Sequence, residues 1–130
     1  MPRWHVLVVE DNDKNMKLVR DVLQATGHRT LEATSGEEAV ELAAAHRPDL
    51  VLMDVHLPGI DGVAALGRLR ADARTTSIPV LALTAQAMDG DRERFLEAGF
   101  DGYIAKPVNV TELVATVNES CERTLKSERS

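Results

Sequence analysis

Short apolar runs alternate with helical patterns along the chain, and this alternation constrains the fold more than any other feature. The runs lie at His5–Val9, Arg29–Ala33, 49–53, 78–83 and Gly102–Ala105. Four of them are almost continuously apolar, as strands buried on both faces are. Between the runs, apolar residues recur at helical spacing: Leu18, Val19, Val22 and Leu23, then Ala39, Val40, Leu42 and Ala43, then Val63, Leu66 and Leu69. A fourth helix is expected over about 88–98, weakened by Gly90 and therefore the most mobile of the set. A fifth is expected over about 110–123, with Leu113, Val117 and Cys121 on one face and a frayed tail at about 125–130. Ser35 with Glu38, and Asn109 with Glu112, have capping-box spacing; Asn12, Asp13 and Asp61 suit helix starts, and Gly27 and Gly99 suit helix ends.

Five strand-then-helix units imply an α/β fold in which a parallel sheet is covered on both sides, with right-handed crossovers. For five strands the order 2-1-3-4-5, a flavodoxin-like three-layer arrangement, is expected over a single domain spanning 1–130; a chain of 130 residues can bury a core without disulfides or a structural metal. This order places ligands beyond the carboxyl ends of strands 1 and 3, where it reverses. The strand ends are chemically distinctive there: Glu10 and Asp11 after strand 1, Asp54 after strand 3, Thr84 after strand 4 and Lys106 after strand 5. Strand 2, at the edge, ends in the plainer Ala33 and Thr34.

Glu10 and Asp11 also admit a plain reading, as solvated acids at a helix start. Asp54 fits that reading less well, because an acid directly after Leu50, Val51, Leu52 and Met53 is partly shielded from water and needs a cation. Carboxylates in a cleft suit a hard, oxygen-preferring ion, and two or three of them with remaining waters suit Mg²⁺ better than Ca²⁺. Zinc is disfavoured, since no Cys or His pair has ligand spacing. A lysine ammonium suits phosphate, and a threonine hydroxyl can donate to a phosphoryl oxygen. Together with a carboxylate nucleophile these groups suit phosphoryl transfer.

The stretches VLVVEDN, LVLMDVHLPGIDG, VLALTA and YIAKPV, in this order and spacing, resemble the receiver domains of two-component response regulators over nearly the whole chain. The wording is most similar to single-domain and hybrid-kinase receivers. The resemblance implies that Asp54 accepts a phosphoryl group from the phosphohistidine of a histidine kinase or histidine phosphotransfer protein. It implies that Mg²⁺ is held by Glu10, Asp11, Asp54 and the main-chain carbonyl of His56. Lys106 is implied to contact the acyl phosphate, Thr84 to close on it, and Tyr103 to turn inward when Thr84 moves. A cis Lys106–Pro107 peptide is implied too. On this reading the chain is a phosphoacceptor signalling domain in a phosphorelay rather than an enzyme, capable only of self-directed phosphotransfer and autodephosphorylation.

Other classes fit less well. An aspartyl-phosphate hydrolase carries a second acid two residues after its nucleophile, where this chain has His56. A flavin or nucleotide carrier wants a glycine-rich or hydroxyl-rich loop after strand 1, and Glu10, Asp11 and Asp13 would repel a phosphate there. An unphosphorylated interaction scaffold remains an alternative. A net charge of −6 argues against direct nucleic-acid binding, and no apolar run is long enough for a membrane helix. A cytoplasmic location is expected, with Cys121 structural. About twenty residues follow Pro107, so no attached output domain is expected and output is expected by contact, through the face of the fourth helix, fifth strand and fifth helix. The phosphoryl donor is expected to dock on the first helix, near Asn12, Asn15 and Met16 with Lys14 and Lys17 close by, and against the loop after Lys106. Trp4 is expected to cover the amino end of the sheet, Met88 and Phe95 to lie in the core, and the side chain of His56 to be solvated.

Overall fold

A computed structural model describes residues 4–57, 59–84 and 91–129. In chain order the elements are β1 (His5–Val9), α1 (Asp13–Ala25), β2 (Arg29–Ala33), α2 (Gly36–His46), β3 (Leu50–Asp54), α3 (Gly62–Ala71), β4 (Val80–Thr84), α4 (Asp91–Ala98), β5 (Gly102–Ala105) and α5 (Val110–Arg129). All strand pairs are parallel and the sheet order is β2-β1-β3-β4-β5, as the periodicity predicts.

Strand alternation divides the core in two. Leu7 and Val9, Val51 and Met53, and Val80 and Ala82 face Ala39 and Ala43 of α2, Ala65, Leu66 and Leu69 of α3, and Phe95 of α4. On the other face Val6 and Val8, Leu50 and Leu52, Leu81 and Leu83, and Ile104 meet Met16, Val19 and Leu23 of α1 with Leu113 and Val117 of α5. β3 and β4 are buried at every residue, whereas the edge strand β2 buries only Ala33 fully. Truncating a central residue such as Leu52, which has no exposed surface, to alanine costs about 2–5 kcal/mol through lost burial and the cavity left behind.

The expected caps are present. Asn12 accepts from the N–H groups of Lys14 and Asn15, Ser35 from Glu38, Asp61 from Ala64 and Asn109 from Glu112. Gly27 and Gly99 carry φ of 92° and 112° at the ends of α1 and α4. Trp4 packs partly buried against the α1–α5 side of the core. Phe95 is core, meeting Phe100 edge to face at 6.1 Å.

Several boundaries and faces differ from the sequence reading. β3 is shifted one residue toward Asp54, because Asp49 is taken up by the start of β1: its carboxylate accepts from His5 N–H and its own N–H donates to the His5 carbonyl. β4 begins at Val80 rather than at residue 78, since Pro79 has no N–H for the ladder. α5 continues past Arg123 to Arg129, a stretch with no Gly or Pro to stop it. Leu18 and Val63 lie on solvent faces, 38% and 42% exposed. α3 packs instead through Gly62 and Ala65, small residues that let it approach the sheet, together with Leu66 and Leu69. Met16, on the sheet-facing side of α1, is a core residue with little exposed surface. α4 starts at Asp91. Met88, Gly90 and the side chain of Cys121 lie outside the described residues.

Candidate functional site

Register brings the site together before any side-chain contact is considered. Val9 pairs with Met53, so the next residues, Glu10 and Asp54, emerge side by side at the reversal point of the sheet. Thr84 pairs with Ala105, which places Lys106 one step beyond; the Lys106 N–H donates to the Thr84 carbonyl at 2.8 Å. Alternation sends Glu10, Asp54 and Lys106 toward the α1–α5 side, in step with Val8, Leu52 and Ile104. Thr84 and Tyr103 fall on the opposite side, with Ala82.

Glu10 and Asp54 are only 1% and 4% exposed, while Asp11 is open to solvent. One carboxylate oxygen from each of the three lies within 4.8 Å of the others. Lys106 Nζ stands 2.9 Å from Asp54 Oδ2 and 2.8 Å from Glu10 Oε2. The ammonium thus bridges the two buried carboxylates. Glu10 Oε1 accepts from Asn12 N–H at 3.2 Å and, at 3.5 Å, from the amide of Asn15. Asp54 Oδ1 accepts from His56 N–H at 3.0 Å.

Burial, followed by the charge of Asp54, pushes the Glu10 carboxyl above the usual carboxylate range, and the Lys106 ammonium pulls the other way. For Lys106, burial opposes the charge, but hydrogen bonds and charge from Glu10 and Asp54 outweigh it and raise its pKa. Two buried carboxylates therefore share this one ammonium, and a third, Asp11, stands open to solvent beside them. A hard cation fits this donor set: oxygen ligands only, mostly carboxylate, with an open side at Asp11 for water.

The loop after β3 is shaped by the same need. A Cβ on Gly62 would run into the Asp54 carbonyl oxygen and come within 2.9 Å of Val55 Cα, so only glycine lets α3 begin directly behind the acid. The Gly62 N–H closes the loop by donating to the Val55 carbonyl at 3.0 Å.

Of the residues singled out in the sequence, Glu10, Asp11, Asp54 and Lys106 converge, and Thr84 sits buried at the same rim. His56 is tied in through its N–H, and its side chain is exposed. Tyr103 is not in the cleft. It is half-buried against the α2–α3 side of the core and lines a hollow of about 380 Å³ beside Leu96 and Glu112. The Lys106–Pro107 peptide is cis. Asn12 and Asn15, which hold Glu10, were expected from the sequence at a helix start and near the donor's docking place rather than at the cleft, and nothing in the sequence singles out the Gly62 contact.

Residues 6–118 match the response regulator receiver domain family. The polar-differentiation response regulator DivK of Brucella anthropi is 45% identical over 117 residues, covering 90% of this chain and 94% of that protein. DivK of Brucella ovis is 46% identical over 112 residues, covering 86% and 91%. A putative response regulator from Chloroflexus aurantiacus superposes with a TM-score of 0.87 at 36% identity, over 93% of this chain and 99% of that one. The receiver domain of a Pseudomonas aeruginosa sensor histidine kinase, whose structure has a magnesium ion coordinated in the active-site cleft, gives 0.85 at 36% identity over 93% and 99%. An acidic crevice at the reversal point of a 2-1-3-4-5 sheet thus coincides with a receiver-family match over 6–118 and with near full-length response-regulator relatives, and the chain belongs to the receiver domains of two-component response regulators.

Proposed function

We propose that the chain is a phosphorelay receiver in which Asp54 accepts a phosphoryl group from a phosphohistidine. An Asp54 carboxylate oxygen attacks phosphorus, the P–N bond breaks, and the departing imidazole takes up a proton. The observation that carries this reading is the clamp on Asp54: Oδ2 faces Lys106 Nζ at 2.9 Å and Oδ1 faces His56 N–H at 3.0 Å, at the end of a strand buried throughout. Positioning is most of what in-line phosphoryl transfer asks of a protein. Mg²⁺, held by Glu10, Asp11, Asp54 and the His56 main-chain carbonyl, would neutralise charge on the phosphoryl oxygens. Lys106 then adds a point charge to the acyl phosphate, and Thr84 closes over it as a donor.

Output follows from the sheet face that Thr84 shares with Tyr103. A new dianion drawing Thr84 inward changes packing on that face, which Phe95 of α4 also lines. The surface of α4, β5 and α5 is the contact surface for a downstream protein. The donor protein docks on α1, where Lys14, Lys17, Leu18 and Val22 border a shallow hollow of about 480 Å³. Autodephosphorylation is the only other chemistry proposed.

Fluorine NMR with beryllofluoride, a phosphoryl mimic, tests the acceptor assignment. A bound resonance that requires Mg²⁺ and disappears in Asp54→Asn is expected. A bound resonance that survives in Asp54→Asn would move the acceptor elsewhere.

A further inference from the structure

Glu37 lies in the first turn of α2, seventeen residues before Asp54 in sequence, and has no part in the cleft described above. Its carboxylate reaches across to the β3–α3 loop, where Oε1 accepts the Ile60 N–H at 2.8 Å. The contact is close along the backbone as well as at that one bond. Gly59 has φ of +74°, and a Cβ there would lie 2.7 Å from Glu37 Oε1 and 2.9 Å from Oε2. The carboxylate therefore occupies the space where any other residue at 59 would put a side chain.

The loop held in this way is the one that grips Asp54. At its start His56 N–H donates to Asp54 Oδ1, and at its end Gly62 N–H returns to the Val55 carbonyl. Between these two ties, the bond from Ile60 to Glu37 is a side-chain anchor from outside the loop. We propose that Glu37 is a positioning residue for the acceptor site: by fixing the loop from α2, it holds the His56 main chain in register with Asp54 and with the cation. The cation part of this inference rests on the functional reading above; the His56 part rests on the geometry alone.

A charge-assisted hydrogen bond to a backbone N–H is the stronger kind, and the Ile60 N–H holds the Glu37 carboxyl below its usual range. A competing explanation is that Glu37 only complements the α2 dipole as an acid in the first turn, or only adds negative charge near the cleft. Glu37→Gln separates these explanations, because it keeps an acceptor oxygen but removes the charge.

The experiment compares the full chain with Glu37→Ala and Glu37→Gln. Backbone amide exchange at His56 is measured in chelator, Mg²⁺ affinity by titration calorimetry, and thermal unfolding confirms that each variant is folded. Outer contacts of this kind typically change metal affinity by about 10-fold or more. Glu37→Ala is expected to speed His56 exchange and weaken Mg²⁺ by about that factor, with Glu37→Gln restoring both most of the way. Unchanged His56 exchange in Glu37→Ala would overturn the proposal. So would equal losses in the two variants, which would assign the effect to charge. Faster His56 exchange in a protein that binds no Mg²⁺ even as wild type would uphold the positioning role and remove the cation reading instead.

Discussion

The Lys106 ammonium lies 2.9 Å from Asp54 Oδ2, the side of the carboxylate that the His56 N–H leaves open. The lysine and a bound cation therefore draw on the same acids. Replacing Lys106 with alanine removes the competitor while leaving Glu10, Asp11 and Asp54 in place. Mg²⁺ should bind about 10-fold more tightly, close to the water-like limit of the repulsion between a divalent ion and an ammonium a few ångströms apart. Phosphorylation from a small acyl phosphate should fall despite the tighter metal. Titration calorimetry and intact mass measured on the same sample check both halves.

Like charges packed into the cleft cost stability until a cation offsets them, so Mg²⁺ should stabilise the fold. At one hundred times its dissociation constant the gain is about 2.7 kcal/mol, which for a chain of this size raises the melting temperature by about 10 °C. Asp54→Asn should lose much of this gain, because it removes one ligand and one of the repelling charges. Thermal scans in Mg²⁺ and in chelator measure the difference.

Arg70 of α3 ties four segments together away from the cleft. Its guanidinium donates to the carbonyls of Thr76, Ile78 and Gly99 and to the carboxylate of Asp101, which in turn accepts from Val80 N–H at 2.8 Å. The side chain is partly exposed, so solvent screens the ion pair, and Arg70→Ala should cost about 1–2 kcal/mol in urea denaturation, chiefly through carbonyls left unpaired. Arg70→Lys should recover little of it, because a single ammonium cannot span these acceptors.

His28 sets an acid limit on stability. It is buried, its Nδ1 accepts from Trp4 N–H at 3.3 Å, and burial lowers its pKa from the ordinary 6.5, against a smaller opposing contribution from Asn118. Below that value the unfolded chain binds a proton that the native chain refuses. The contribution of His28 is therefore complete above about pH 6.5 and is lost as pH falls through the lower folded value. His28→Asn, which keeps an acceptor near Nδ1, should flatten the decline. His5, whose pKa burial also lowers, should leave a residual slope. Denaturation midpoints between pH 5 and pH 8 provide the check.

The sheet order and most of the cleft were legible because parallel strands buried on both faces announce themselves as apolar runs, and the residue just past each run has nowhere else to go. Glu10, Asp54 and Lys106 follow from that rule together with the reversal of strand order. Contacts made across the fold were hidden. Nothing near Glu37 in sequence points to Ile60, and Arg70 reads as an ordinary charge in the last turn of α3. The exposed faces of Leu18 and Val63 show the opposite failure, since apolar spacing alone does not say which side of a helix the sheet will take when alanine or glycine packs more closely. The end of α5 was set too early because nothing after Arg123 breaks a helix: the residues from there to Arg129 include no Gly or Pro.

The central claim is that Asp54 carries the phosphoryl group under metal control. Intact mass after incubation with Mg²⁺ and a small acyl phosphate tests it most directly, with Asp54→Asn and a chelator as parallel samples. The account predicts a gain of one phosphoryl group in the wild-type chain and none in either parallel sample. A folded wild-type chain that gains no mass, or an Asp54→Asn chain that gains the same mass, would contradict it.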